Sequence, residues 1–125
     1  MKTLTLILQN AGRLLGVILL ILGFLFWTHH SFQLIPLHMQ MGVAFVVLLW
    51  AMAVIGASAK VSPALVVAAF LWGLLMLYFG MSMGRFMPGR AHELIRVLHF
   101  LIGLGAIALL ESLGARIKRR AAVVR

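Results

Sequence analysis

Two histidines in this chain share one local pattern. "LHMQMG" at 37–42 and "LHFLIG" at 98–103 each place a glycine four residues after the histidine, inside a long apolar run. A neutral imidazole in hydrocarbon is unfavourable unless its ring nitrogens are occupied. Either nitrogen can ligate a metal, so His38 and His99, if they face one another, can close on one metal from two sides. An ionisable residue within an apolar span marks a functional site by default. Other chemistry is poorly served. With no cysteine there are no thiolate zinc sites, iron–sulfur clusters or disulfides. No nucleophile–base pair or carboxylate pair is visible, so a hydrolytic or group-transfer enzyme is not expected.

The elements that must position these histidines follow from composition. Of 125 residues, 64% are hydrophobic, and two acids, Glu93 and Glu111, face eleven Lys and Arg. That apolar content points to a core of membrane-spanning helices. The formal charge of +9 gathers at chain ends and between apolar runs. Such placement fits membrane topology and anionic lipid, with no nucleic-acid partner.

A span needs roughly 20 apolar residues. Four segments qualify, at approximately 4–30, 34–58, 63–84 and 90–114, followed by a basic cytoplasmic tail at 115–125. The basic start of the first resembles a signal peptide. Its apolar run is too long for one and no small-x-small site follows, so a retained helix is expected. Pro36 suits the first turn of helix two, and Ser31 is a candidate N-cap for an earlier start.

Lys and Arg set the orientation. With both termini inside, Lys2, Arg13, Lys60, Arg116, Lys118, Arg119, Arg120 and Arg125 are cytoplasmic, and Arg85, Arg90 and Arg96 are outside. The expectation is one all-α domain over 1–125: an integral membrane four-helix up-down bundle, N-in/C-in, multi-pass in the cell's inner (cytoplasmic) membrane. Gly12 and Gly16 on helix one, and Gly103, Gly105, Ala106 and Ala108 on helix four, are expected to let helix backbones approach.

The histidine motifs align at an offset of 61 residues, matching Leu37/Leu98, His38/His99, Gly42/Gly103, Leu48/Leu109 and Leu49/Leu110. Helices one and three match weakly at that offset. Helices two and four both run inward from the outer face, so the motifs are borne on parallel spans. Similar depth for the two histidines requires helix two to begin near Ser31.

Two facing imidazoles in a bundle core suit the two axial positions of a haem iron. Gly42 and Gly103 share their histidine's face one turn deeper, where a side chain would push a porphyrin away. Arg96, one turn outward from His99, is positioned for a propionate, and His92 shares that stripe. His38 and His99 are therefore the expected iron ligands, with Gly42, Gly103, Arg96 and His92 completing the site.

The H-x-x-x-G pattern on helices two and four resembles the bis-histidine four-helix membrane b-type cytochromes. The resemblance covers those two helices and otherwise rests on architecture. It implies one haem b and one-electron transfer, with a quinol or protein redox partner. The histidine pairs that hold a second haem in larger members are missing, so one haem near the outer face is expected.

Two other readings remain open. Met39 and Met41, with Met81, Met83 and Met87, put thioethers beside imidazoles at the outer end, a donor set that suits Cu(I). An accessory subunit of a larger membrane complex, or a homo-oligomer, is also compatible with this sequence. A small multidrug exporter fits poorly, since Gln9, Asn10 and Arg13 stand in the first helix where such proteins carry a glutamate.

Further expectations concern single residues. Arg13 either pairs with Glu111 or snorkels to headgroups, the latter favoured. Glu93 is a helix-start acid. Trp50 and Trp72 are packing residues, and Tyr78 and Phe79 flank the site or pack beside it. His29, His30 and His92 are read as interfacial.

Overall fold

The computed structural model describes residues 2–83 and 92–123. The "GRFMPGR" break, Arg85, Arg90, Met87 and Arg125 lie outside them. The described residues form four long helices: α1 over Lys2–Trp27, α2 over Ile35–Ser58, α3 over Pro63–Ser82 and α4 over His92–Val123. All four are long and apolar enough to cross a membrane. Large apolar side chains also cover the outside, with Leu14 63%, Phe24 68% and Leu71 61% exposed. A bundle surface that is apolar all round is compatible with an apolar surrounding.

Contacts between helices give their directions. On α1 and α2, Gly12 meets Leu48, Gly16 meets Phe45 and Gly23 meets His38, so one index rises as the other falls. The same opposition relates Gly12 to Leu110 and Gly16 to Ile107 on α4, and Gly73 to Val46 across α2 and α3. Neighbours in sequence are therefore antiparallel, and α1 packs antiparallel on α4. Across the middle, α2 meets α4 in parallel, His38 beside His99 and Gly56 beside Leu113. This is the expected four-helix up-down bundle.

Two helix ends close in the same way. At α1, His30 N donates to Leu25 O at 2.8 Å and His29 N to Phe26 O at 3.0 Å. At α2, Val61 N donates to Gly56 O at 2.9 Å and Lys60 N to Ala57 O at 3.2 Å. Both are Schellman motifs, in which glycine usually takes the left-handed position. Here His29 (φ 63°) and Lys60 (φ 63°) take it.

The expected start of helix two near 34 agrees with the observed Ile35, whereas the alternative cap at Ser31 and the expected end of helix four at 114 are corrected. Ser31 does not cap helix two; it is left-handed (φ 57°) and makes no side-chain cap, preceding a short 3-10 turn at Phe32–Leu34 that leads into α2. The chain after 114 is not a separate tail. The helix continues to Val123 because Ile117, 1% exposed, still packs on the core.

Packing divides the bundle along its length. The most completely buried large side chains are Thr5, Gln9, Phe45, Val46, Leu49, Met52, Leu110, Leu113 and Ile117. By the helix register all lie between mid-bundle and the end that carries Lys60 and the basic stretch of α4, here called the basic end. The opposite half, the histidine end, is looser.

The offset of 61 reappears in burial. Phe45/Ala106, Leu49/Leu110, Met52/Leu113, Ala53/Gly114 and Gly56/Ile117 are buried in both members. α2 and α4 thus occupy equivalent places about the bundle axis. Of the expected small contact residues, Gly12 and Gly16 admit α4 side chains and Gly105 admits Trp72, whereas Ala108 is exposed.

Both central tryptophans are packing residues, as expected; each lies over a glycine and satisfies its indole N–H on a neighbouring helix. Trp50 lies on Gly73 and donates to Phe70 O at 3.3 Å; Trp72 lies on Gly105 and donates to Ile102 O at 2.8 Å. Gly73→Leu should expel the Trp50 indole, red-shift tryptophan emission and destabilise the bundle by about 1–3 kcal/mol. His29→Gly should do the opposite, raising the melting temperature through relief of about 1 kcal/mol of left-handed strain.

Candidate functional site

His38 and His99 meet inside the looser half. Their ring centroids are 6.2 Å apart with planes inclined by 55°. A metal–imidazole bond is about 2 Å long and the ring centre lies about 1.1 Å behind its nitrogen, so two rings trans on one metal have centroids roughly 6.3 Å apart. The observed 6.2 Å is compatible with that distance.

Each ring is seated by glycine on the adjacent helix. A β-carbon on Gly23 of α1 would stand 3.8 Å from His38 Cε1, and one on Gly80 of α3 would stand 3.8 Å from His99 Cε1. Phe26 adds an edge contact on His38, with centroids 5.4 Å apart. The Nδ1 atoms of both histidines are buried and make no hydrogen bond. An unsatisfied buried polar atom costs about 1–3 kcal/mol, which an incoming ligand or hydrogen-bond partner can relieve.

One turn deeper stand Gly42 and Gly103. β-Carbons built on them meet nothing within 4 Å. Both glycines line a cavity of about 840 Å³ that also contains His38 and His99 and receives residues from all four helices. Phe45 and Ile107 also line it, where it approaches the tightly packed half. Cofactor pockets commonly measure about 300–1,000 Å³, so its size suits a large organic cofactor.

His92, Arg96, Thr28 and Phe32 also line the cavity. Arg96 donates to Glu93 Oε1 at 2.7 Å, an exposed pair three residues apart on α4. Its guanidinium is thus paired within the chain, with N–H donors left for a second carboxylate. Met39, Met76, Met81 and Met83 line the same space. Tyr78 and Phe79 pack on each other at 6.5 Å, and the α3 residues lining the cavity are Met76, Leu77, Gly80 and Met81. His30 Nδ1 bonds Thr28 Oγ1 at 3.1 Å, and His29 stacks edge-on against Phe32.

Sequence reading passed over Gly23 on the α1 wall and Gly80 on α3, and took Gly16, which also lines the cavity, only as a packing residue. A signal existed: Gly16 and Gly23 are seven residues apart, as are Gly73 and Gly80, a spacing that keeps both on one helix face. Among the described residues, no three or more His, Cys, Asp or Glu come together as a metal site. Two imidazoles suffice only for a metal that arrives with other ligands, as in a porphyrin, or for one of low coordination number.

A second polar constellation crosses α1 and α4 in the packed half. Arg13 binds Glu111 in two-pronged fashion, Nε to Oε1 at 2.6 Å and Nη2 to Oε2 at 2.8 Å. Gln9 Nε2 donates to Oε2 at 2.9 Å and Arg13 Nη1 to Asn10 Oδ1 at 3.0 Å. The favoured expectation that Arg13 snorkels away is thereby corrected. Bidentate pairing with a carboxylate is stronger than solvation of one end of the chain.

Compared with known protein families, curated proteins and solved structures, the chain matches none of them.

A double-mutant cycle over Arg13→Ala and Glu111→Ala, read by thermal unfolding in detergent, should show strongly non-additive losses. Either single change should cost nearly as much as both together.

Proposed function

We propose that this chain is a small integral membrane b-type cytochrome. In this reading the four helices are inserted in the inner (cytoplasmic) membrane with both termini inside. The histidine end then faces outward. One haem b would be held between α2 and α4 by His38 and His99. The observation that carries the reading is the 6.2 Å separation of those two rings, borne on parallel helices inside one cavity.

The bound haem supplies a one-electron couple. The chain does the rest. His38 and His99 would hold the iron, and the largely apolar lining would limit water's access to it. Gly42 and Gly103 leave room for the macrocycle, since a side chain at either would fill that space. Arg96 offers its remaining N–H groups to a propionate, and His92 stands beside it at the cavity lining.

A second haem lacks both room and ligands among the described residues. Phe45, Leu49, Met52, Leu110 and Leu113 fill the opposite half. Electrons therefore enter and leave at the histidine end, through a quinol or a protein redox partner. Group-transfer catalysis has no support from the residues present, and a place in a larger membrane complex or a homo-oligomer is compatible with this role.

Copper is the second reading. Four methionines line the same cavity as the two imidazoles, and thioether with imidazole suits Cu(I).

Detergent-purified protein should be red and, on reduction with dithionite, show the sharp α-band of six-coordinate low-spin haem. His38→Ala and His99→Ala should each abolish it, while His29→Ala and His30→Ala leave it unchanged. Gly42→Leu and Gly103→Leu should lose haem while retaining helical circular dichroism. Stoichiometric copper without Soret absorbance would replace haem by the second reading. Colourless, metal-free protein co-purifying with a large complex would replace both by an accessory role.

A further inference from the structure

At the basic end, α2 and α3 meet in a turn whose construction is not what folding alone favours. Lys60 takes the left-handed position of the Schellman motif, φ 63°, where glycine would be conformationally cheaper. Val61, one residue on, is buried and belongs to the same core cluster as Val66 of α3 and Ile117 of α4. The turn is thus held down on one side while Lys60 remains exposed.

Lys60 stands at a depression of about 310 Å³ whose other lining residues are Ala57, Val61, Pro63, Val66 and Val67. Every one of those five is apolar. A cation over an apolar slot is the complement of a molecule with an anionic head and a hydrocarbon tail. The last turns of α4 add Arg116, Arg119 and Arg120, spaced to lie along one strip of helix, beside buried Ile117. Among the described residues, no carboxylate forms an ion pair with Lys60, Arg116, Arg119 or Arg120. Of the chain's two acids, Glu111 is taken by Arg13 and Glu93 by Arg96 at the far end.

We propose that the basic end binds an anionic phospholipid, its phosphate at Lys60 and one acyl chain in the apolar depression, with the arginines of α4 strengthening the field. The proposal rests on the membrane reading above and is independent of the haem. Each Lys or Arg near such a surface contributes enough to change anionic-lipid binding about fivefold.

Lys60→Gly removes the cation and relaxes the backbone, so loss of binding cannot be blamed on misfolding. Phosphatidylglycerol, with phosphatidylcholine as the neutral control, is added to solubilised protein and retention read by native mass spectrometry. Wild type should retain phosphatidylglycerol preferentially. Lys60→Gly should weaken it about fivefold with an equal or higher melting temperature, and Lys60→Arg should restore it. Combined Arg116→Gln, Arg119→Gln and Arg120→Gln should weaken it further. Equal retention of both lipids by wild type, or undiminished retention by Lys60→Gly, overturns the proposal. Inorganic phosphate that competes as well as whole lipid overturns the acyl slot. A chain that never enters detergent micelles or bilayers overturns the membrane reading and this proposal together.

Discussion

Polar groups inside an apolar bundle must be satisfied from within, and that constraint organises this molecule. Two indole N–H groups reach carbonyls on neighbouring helices. A guanidinium and an amide converge on the one carboxylate in the packed half. Against that background His38 and His99 stand out, since each keeps a buried ring nitrogen with no hydrogen bond. Gln9 Oε1 shares that condition, but its own amide nitrogen is bonded to Glu111. The two imidazoles lie beside one another and line one open cavity.

The uneven packing follows from where small and large residues fall. Toward the basic end, each glycine is covered: Gly12 by Leu110, Gly56 by Leu113, Gly73 by Trp50 and Gly114 by Gln9. Around the histidines glycines recur on all four helices, and Gly42 and Gly103 are left uncovered. The same residue type therefore makes close contact in one half and space in the other. The difference is the size of the side chain opposite.

Much of this was legible along the chain. Run lengths and turn residues gave four helices with α2 starting near Pro36 and α3 at Pro63, because proline is tolerated where its missing N–H is not needed. The repeated H-x-x-x-G placed two histidines and two glycines on like faces. Less legible were the ends. Sequence reading stopped the fourth helix at 114 because charge replaces apolar residues there, yet Ile117 anchors another turn and the helix runs to Val123. Arg13 looked like a snorkelling residue because its partner lies 98 positions away, a separation no local pattern reveals.

What composition and periodicity determined alone was the class of structure: helices, their number, their alternation in direction, and hence that α2 and α4 are parallel. These depend on residues near one another in the chain and on segment length. Tertiary packing alone decided the quantities on which chemistry depends. The 6.2 Å between two rings, the emptiness beside Gly42 and Gly103, and the grip of Glu111 on Arg13 all depend on axial register and rotation between helices. A shift of one helical turn moves a side chain about 5.4 Å, enough to part the imidazoles, and only the interlocking of side chains across the bundle sets that turn.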